Sequence, residues 1–599
     1  MSPLCKNSPS LSKSFSVCDF LKHYLGEKGF VFLLSILVGT IAGLGACFLK
    51  VFTHGCHHFV TSLAGDSYWM MWILPAFPAV GIFLCVFIVR YIFRIKEYKK
   101  SLSFVVSATT NGSSDLPLHK TFSHLITSGL AVGLGGSAGL EAPIAMTGAA
   151  IGSNLAKKTK LGRESRTLLL ACGAGAGISA IFNSPVAGTL FACEILLPSF
   201  TIPALAPLLM ASAAASIVAK SFGMESTFIQ IHPDWLLHNV PLYILMGLSC
   251  GLLSAYIIRM TLVVEKVLSR HDSIWGKALF SSVILYFVFL LFPTLKGEGY
   301  YLIGALLSGH EEVLAMGGPF SFLLMHSWLF LPLLCCLLLL KPMVSSMTIG
   351  GGGDGGLFGP SLVVGAFTGY FFYKFLNIEG VMSISAANCI AVGMGGVLAG
   401  VMHAPMTGMF LIAEMTGGYT LFVPLMITVS LSSFISKRIA HYNIYKSSIV
   451  QEGGIPEMHD DSLVLRETSI HDVVETNFTV VHPNNTLRDL VKILEESQRN
   501  ICPVLEKDGE LVGVIKVDDI HALLFNRTIY DSVLIYDLME PTGPILTEHD
   551  SLYDAMRAFE HSKSRNLPVL CRGKYIGFVS KSGVLDRFRE LLAKKQDLF

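Results

Sequence analysis

The chain has 599 residues, 52% of them hydrophobic and only 15% charged, with a formal net charge of +1 at pH 7 and a mean hydropathy of +0.59. That is more apolar surface than a soluble core can bury, and it marks a polytopic membrane protein. The balanced charge leaves no nucleic-acid footprint. The 13 cysteines carry no CxxC spacing, so they read as packing residues in a reducing compartment or membrane rather than as a disulfide framework.

In chain order, Met1 to Ser16 is polar and lacks the basic, apolar and small-residue order of a cleaved signal, so residues 1–28 are expected to be an uncleaved cytosolic tail. A membrane domain is expected over 29–450. The runs Val31 to Val51, Trp69 to Ile92, Pro241 to Ile258, Ala278 to Phe292, Trp328 to Leu340 and Leu421 to Ile435 are its expected spans. Several fall short of the roughly 20 residues of a straight crossing. His54-Gly55-Cys56-His57-His58 lacks the ligand spacing of a metal centre. It is expected to be an interfacial loop after the first span, and no metal site is expected.

Gly139-Leu140-Glu141-Ala142-Pro143 and Gly356-Leu357-Phe358-Gly359-Pro360 both interrupt apolar sequence with glycine and proline. Each is followed by a matching block: Gly173 to Ile195 aligns without gaps on Gly393 to Met415, pairing Pro185 with Pro405, Gly188 with Gly408 and Glu194 with Glu414. Paired breaks in two halves of a membrane chain point to a substrate site, because broken helices are tolerated at membrane depth only where they line a cavity or are buried in protein. Glu141 stands just before a proline that marks a helix start. There, free backbone N–H groups and the helix dipole favour negative charge, so the carboxylate can take an anion's place when ionised and leave when protonated. Glu194 and Glu414 read as structural acceptors within the bundle.

These linked motifs resemble the CLC family of chloride channels and chloride/proton antiporters over essentially the whole chain. Gly139 to Pro143 is similar to the family's GxEGP motif, with Leu140 in place of the usual arginine and Ala142 in place of glycine. Phe182-Asn183-Ser184-Pro185 and the GxFxP stretch Gly356 to Pro360 match more closely. The resemblance implies an all-α membrane domain of two inverted repeats with broken helices, and a homodimer with one pore per subunit. It implies Glu141 as the gate, with Gly139, Pro143, Gly356 and Pro360 as motif scaffold. It also implies chloride held by the amides of Leu357 and Phe358 and the hydroxyl of Tyr445, neutral donors that bind without trapping. Protons are the implied second substrate, and no cofactor is required.

Two departures stand out. The family's serine motif should fall near Tyr98 to Leu102, where this chain reads Tyr98-Lys99-Lys100-Ser101-Leu102. Ser101 can substitute and the lysines can add positive potential, or the stretch is a basic interfacial turn facing lipid headgroups. The inner proton-transfer glutamate of typical antiporters is replaced by Ile195, which leans toward the family's channel members.

After Gln451 the sequence becomes highly charged, with an expected linker at 451–465. Val480 to Ile520 then aligns on Ile545 to Leu585, each copy showing an amphipathic helix, a strand with Pro-Val-Leu, a turn, a second strand and a further helix. This resembles a tandem CBS pair of α+β fold, expected at 466–528 and 529–599 on the cytosolic side. The nucleotide-binding Gly-h-h-Ser/Thr-x-x-Asp pattern of such pairs is incomplete in both copies. The first has Lys516 and Asp519, and the second has Ser580 but Gly583 at the acid position. An adenine nucleotide and an empty scaffold both remain open readings.

The leading expectation is transmembrane anion transport, not enzymatic catalysis. Within transport, the missing serine motif admits an antiporter for another anion such as fluoride. A CBS-linked divalent cation transporter needs clustered carboxylates, whereas the membrane acids here are isolated. A membrane-anchored nucleotide sensor leaves Glu141 unexplained. Short loops and a compact tail point to a bacterial cytoplasmic membrane.

Overall fold

The computed structural model describes residues 17–63, 70–95, 98, 101–110, 113–197, 202–224, 235–315, 319, 327–378, 384–451, 465, 468–497, 499–562 and 564–597. Lys99, Lys100, residues 1–16 and nearly all of the expected linker lie outside them. The chain forms two compact units, 1–457 and 458–599.

Seven helices among the described residues are long and apolar enough to cross a membrane: 22–63, 74–92, 163–182, 237–269, 274–291, 330–350 and 422–451. The six expected spans overlap six of these, those at Val31 to Val51 and Pro241 to Ile258 lying wholly inside. The seventh, 163–182, was legible only as part of the repeat, because its glycines dilute its hydropathy. The first helix, α1 (Val17–Leu63), is kinked at Gly26 and runs on through the histidine-rich stretch. The expected loop at His54 to His58 is therefore corrected to helix: a lone Gly55 costs about 1 kcal/mol, too little to end a helix of this length.

The repeat seen in sequence is a repeat of packing. In the first half, α2 (Glu141–Lys158) packs on α3 (Arg163–Phe182), followed by the short α4 (Pro185–Phe191) and by α5 (Leu205–Ser221), which packs on α1. In the second half, α6 (Val240–Ser269) takes the part of α1. The counterparts of α2 to α5 are α8 (Phe358–Ile378), α9 (Ala386–Met402), α10 (Pro405–Met415) and α11 (Phe422–Ile439). Between them α7 (Tyr300–Leu307) enters as a short helix, and α12 (Ile444–Gln451) closes the unit. Both α3 and α9 end on a left-handed residue, Asn183 at φ 54° and His403 at φ 53°, and a proline then restarts the chain at Pro185 and Pro405. Where α2 crosses α3, a Cβ on Gly148 or Gly173 would lie 1.9 Å from the other's carbonyl oxygen. Backbones this close explain the glycine-rich blocks.

The tail unit holds two copies of one motif. Antiparallel strands β1 (Ile501–Leu505) and β2 (Leu511–Lys516) repeat as β4 (Asn566–Cys571) and β5 (Lys574–Ser580), with register shifts at the equivalent Val504/Leu505 and Val569/Leu570; a short β3 (Leu546–Thr547) pairs with β4. Amphipathic helices α13 (Leu487–Glu496) and α14 (Leu552–Ser562) cover the strands, and Thr486 and Asp489 form a capping box on α13. Each copy's leading segment is exchanged: Glu475 pairs with Phe578, and Glu540 pairs with Val514. Ile470 accordingly packs in the second copy's core with Leu546 and Val569.

Candidate functional site

The two breaks meet. Gly139 and Gly356 form an antiparallel bridge, each N–H donating to the other's carbonyl at 2.8 Å. A Cβ on Gly356 would fall 2.5 Å from Ala142 Cβ, and one on Gly139 would overlap the Glu141 carboxylate. The bridge brings the N-termini of α2 and α8 together, with Glu141 and Phe358 as first helical residues and Pro143 and Pro360 in first turns that need no N–H from them.

Glu141 is 1% exposed, and its carboxylate is held from two sides. Gly359 N–H donates to Oε2 at 3.2 Å, and the Tyr300 hydroxyl donates to Oε1. Tyr300 opens α7 directly after Gly299, whose φ of 94° turns the chain into the site. The ring of Phe182, which lines the same cavity as Glu141, stands edge-on to Tyr300 at 6.2 Å and lies 5.5 Å from the ring of Phe358. Lys341 is wholly buried and donates to Leu295 O at 3.1 Å and Gly297 O at 3.0 Å, fixing the loop that delivers Tyr300. Sequence reading missed Tyr300, Gly359 and Lys341.

Two cavities approach Glu141 from its two sides. One of about 700 Å³ is lined by Glu141, Tyr300, Glu298, Lys50, Lys296, His54 and His57 among others. Lys50 and Lys296 supply positive charge here, although Leu140 stands where the family has arginine. The other approach begins with a small space of about 40 Å³ lined by Ala142, Gly356, Leu357, Ser101 and Tyr445. It continues into a cavity of about 570 Å³ reaching Arg90, Tyr98, Lys277 and Gln451. We call this the tail side, because the chain leaves it at Gln451. Leu357 and Tyr445 thus share one wall, whereas Phe358 is turned toward the Phe182 and Phe191 rings.

Near the expected serine motif, Ser101 lines both tail-side spaces, and Tyr98 turns into a buried polar cluster. Its hydroxyl lies 3.0 Å from His124 Nδ1, which is 2.8 Å from Asp354 Oδ2, and Lys120 Nζ is 3.3 Å from His124 Nε2. This cluster ties Tyr98 to Asp354 in the glycine-rich loop before α8.

The paired glutamates are acceptors, each across the repeat. Glu414 accepts from Val186 N at 3.1 Å and Ala187 N at 2.9 Å in the first turn of α4. Glu194 accepts from Met406 N at 3.0 Å and Thr407 N at 2.7 Å in the first turn of α10. Each offsets its cost of burial at a helix N-terminus. Ile195 packs in the apolar core beside Phe191.

The family model for voltage gated chloride channels matches residues 81–437. This chain belongs to that family. CBS domain models match 470–526 and 535–590 of the tail. Among relatives of this CLC protein, chloride channel protein CLC-f of Arabidopsis thaliana is 27% identical over 68% of this chain and 58% of its own length. The H(+)/Cl(-) exchange transporter ClcA of Vibrio cholerae is 30% identical over 50% of this chain and 62% of its own. The match therefore spans only about three fifths of each of these relatives. A solved eukaryotic CLC transporter superposes with a TM-score of 0.58 at 17% identity, covering 95% of this chain and 99% of the other. That likeness shows the CLC fold extending through the tail.

In the CBS tail, the three residues singled out for nucleotide are engaged internally. Lys516 donates to Glu540 at 2.7 Å and lies 3.8 Å from Asp519, and the Glu540 hydrogen bond holds its ammonium above the ordinary value. Ser580 donates to Glu475 at 2.8 Å and accepts from Gly583 N–H at 3.1 Å, capping the helix that begins at Lys581.

Proposed function

We propose that this protein transports small anions, chloride first among them, across a membrane as a homodimer, with Glu141 as the gate of each pore and the tail on the cytosolic side tuning it. The observation that carries the proposal is the Glu141 carboxylate, an anion on a tether, seated on the Gly359 amide and the Tyr300 hydroxyl where the two cavities converge. An anion drawn in by Lys50 and Lys296 competes for those same donors. When Glu141 takes up a proton it gives them up, and the anion moves past Ala142 and Gly356 to the space beside Leu357 and Tyr445. Fixed neutral donors replace water there without the grip of a full positive charge. Release is then to the tail side.

The proton bound by Glu141 links anion passage to pH. Ile195 offers no acid for onward transfer on the tail side, which favours loose coupling or a channel over tight exchange.

The test is flux in liposomes holding the purified full-length protein under chloride, nitrate and fluoride gradients. Chloride and nitrate flux is expected. Flux of fluoride alone would replace chloride as the substrate, and divalent cation uptake without anion flux would overturn the reading.

A further inference from the structure

We propose that Asp354, His124 and Lys120 form a buried strut between two segments that line the small tail-side space, and that the strut sets which small anions fit there. The space of about 40 Å³ is lined by Ser101 and Leu102 from one segment and by Gly355, Gly356 and Leu357 from another. One water needs roughly 10–15 Å³ of such space, so an anion enters it stripped of most of its shell. Its fit then depends on where the two segments stand.

From Gly350 to Gly356 the chain reads Gly-Gly-Gly-Gly-Asp-Gly-Gly, so Asp354 is the one residue of that loop with a side chain to anchor it. Glycine allows the widest range of backbone conformations, and an anchored side chain narrows that range. Asp354 is wholly buried, and its Oδ2 accepts from His124 Nδ1 at 2.8 Å, from the Tyr98 hydroxyl at 3.4 Å and from the Thr127 hydroxyl. His124 and Thr127 stand one turn apart on the helix Ser123–Gly133. Lys120, 3% exposed, lies in the short helix Leu118–Thr121 just before it, with Nζ 3.3 Å from His124 Nε2. An ammonium only donates, so Nε2 is the acceptor and the ring proton sits on Nδ1, where it donates to Asp354. The same Nζ lies 4.8 Å from the centre of the Tyr98 ring and 4.9 Å from that of Phe104, within cation–π range. Phe104 N–H in turn donates to Ser101 O at 3.0 Å. An unbroken run of contacts therefore joins Ser101 to the glycine loop through Phe104, Lys120, His124 and Asp354. Buried charge-assisted hydrogen bonds are short and strong, which makes this run a spacer of fixed length. None of Lys120, His124 and Asp354 lines the space itself, so they are positioning residues. Cutting the strut lets the two segments part, and anions larger than chloride gain.

The inference rests on anions passing this space, as in the proposed function. Full-length protein in liposomes is given chloride, nitrate and thiocyanate gradients in turn, and flux is read as the ratio of each larger anion to chloride. A lower yield of folded protein leaves that ratio unchanged, so a merely structural role would not move it. Asp354→Ala should raise both ratios several-fold. Asp354→Asn, which keeps an acceptor of the same size, should stay near wild type. Phe104→Leu cuts the other end without touching a charge, should move the ratios in the same direction as Asp354→Ala, and decides the matter if Asp354→Ala fails to fold. Wild-type ratios in a folded Asp354→Ala or Phe104→Leu protein overturn the strut, as does a folded variant that carries no anion. Asp354→Asn matching Asp354→Ala would assign the effect to charge and overturns it as well. A wild type that carries no anion instead overturns the transport reading on which the strut depends.

Discussion

Tyr300→Phe removes one hydroxyl and nothing else, and in the structure that hydroxyl donates to the buried Glu141 carboxylate. A hydrogen bond to a charged group is worth ~1.5–3 kcal/mol. Losing it leaves the carboxylate on backbone N–H groups, that of Gly359 at 3.2 Å among them, so the seated state should lose population by roughly 10- to 150-fold relative to the displaced one. Chloride efflux from liposomes at neutral pH, where wild type is mostly seated, should therefore rise by at least about tenfold, with a ceiling set by Glu141→Gln. The Tyr300→Phe change made on the Glu141→Gln background should have a much smaller effect, because the charge it acts on is gone. Wild-type flux in Tyr300→Phe, together with raised flux in Glu141→Gln, would refute the latch. An equal effect of Tyr300→Phe on both backgrounds would show that the ring acts on packing.

Gly356→Ala should lower the melting temperature and the flux, because its Cβ would lie 2.5 Å from Ala142 Cβ; adding Ala142→Gly should restore part of both, measured by thermal unfolding in detergent. Glu414→Ala strips two acceptors from the first turn of α4 and should destabilise the membrane unit by ~2–4 kcal/mol, seen as a lowered melting temperature. Tyr445→Phe should weaken halide binding in calorimetry, and unchanged affinity in both Tyr445→Phe and Tyr445→Ala would remove the hydroxyl from the site.

The repeat was readable because the constraints behind it act within short windows. A left-handed cap, a proline restart and a glycine crossing each leave a mark at fixed spacing, as at Asn183, Pro185 and Gly173. Glu141 was readable for the same reason, being a carboxylate at a helix start in an apolar chain. Tyr300 was not, because nothing local says that an aromatic residue 159 positions along the chain reaches the same carboxylate. Its one signal was Gly297-Glu298-Gly299 ahead of it, a glycine-flanked charge between apolar segments, which marks a third break. Lys341 was hidden as a single cation in a leucine run, and its partners are backbone carbonyls that no pattern reveals. The helical fate of His54 to His58 depended on tertiary packing of α1, which overrides a weak local breaker. In the tail, the strand pairs followed from alternation and turns, but the exchange of leading segments between copies is a long-range choice that two near-identical patterns cannot express.

The central claim is that an ionised Glu141 competes with the transported anion. Glu141→Gln keeps the shape and removes the charge, so parallel chloride and proton fluxes of this variant and wild type, across a range of pH on the side away from the tail, test it most directly. Wild-type flux should rise as that pH falls, because protonation frees the Gly359 and Tyr300 donors. The variant should be active throughout, with little response to that pH and no anion-driven uphill proton movement. A Glu141→Gln protein with the wild-type pH profile would contradict the account.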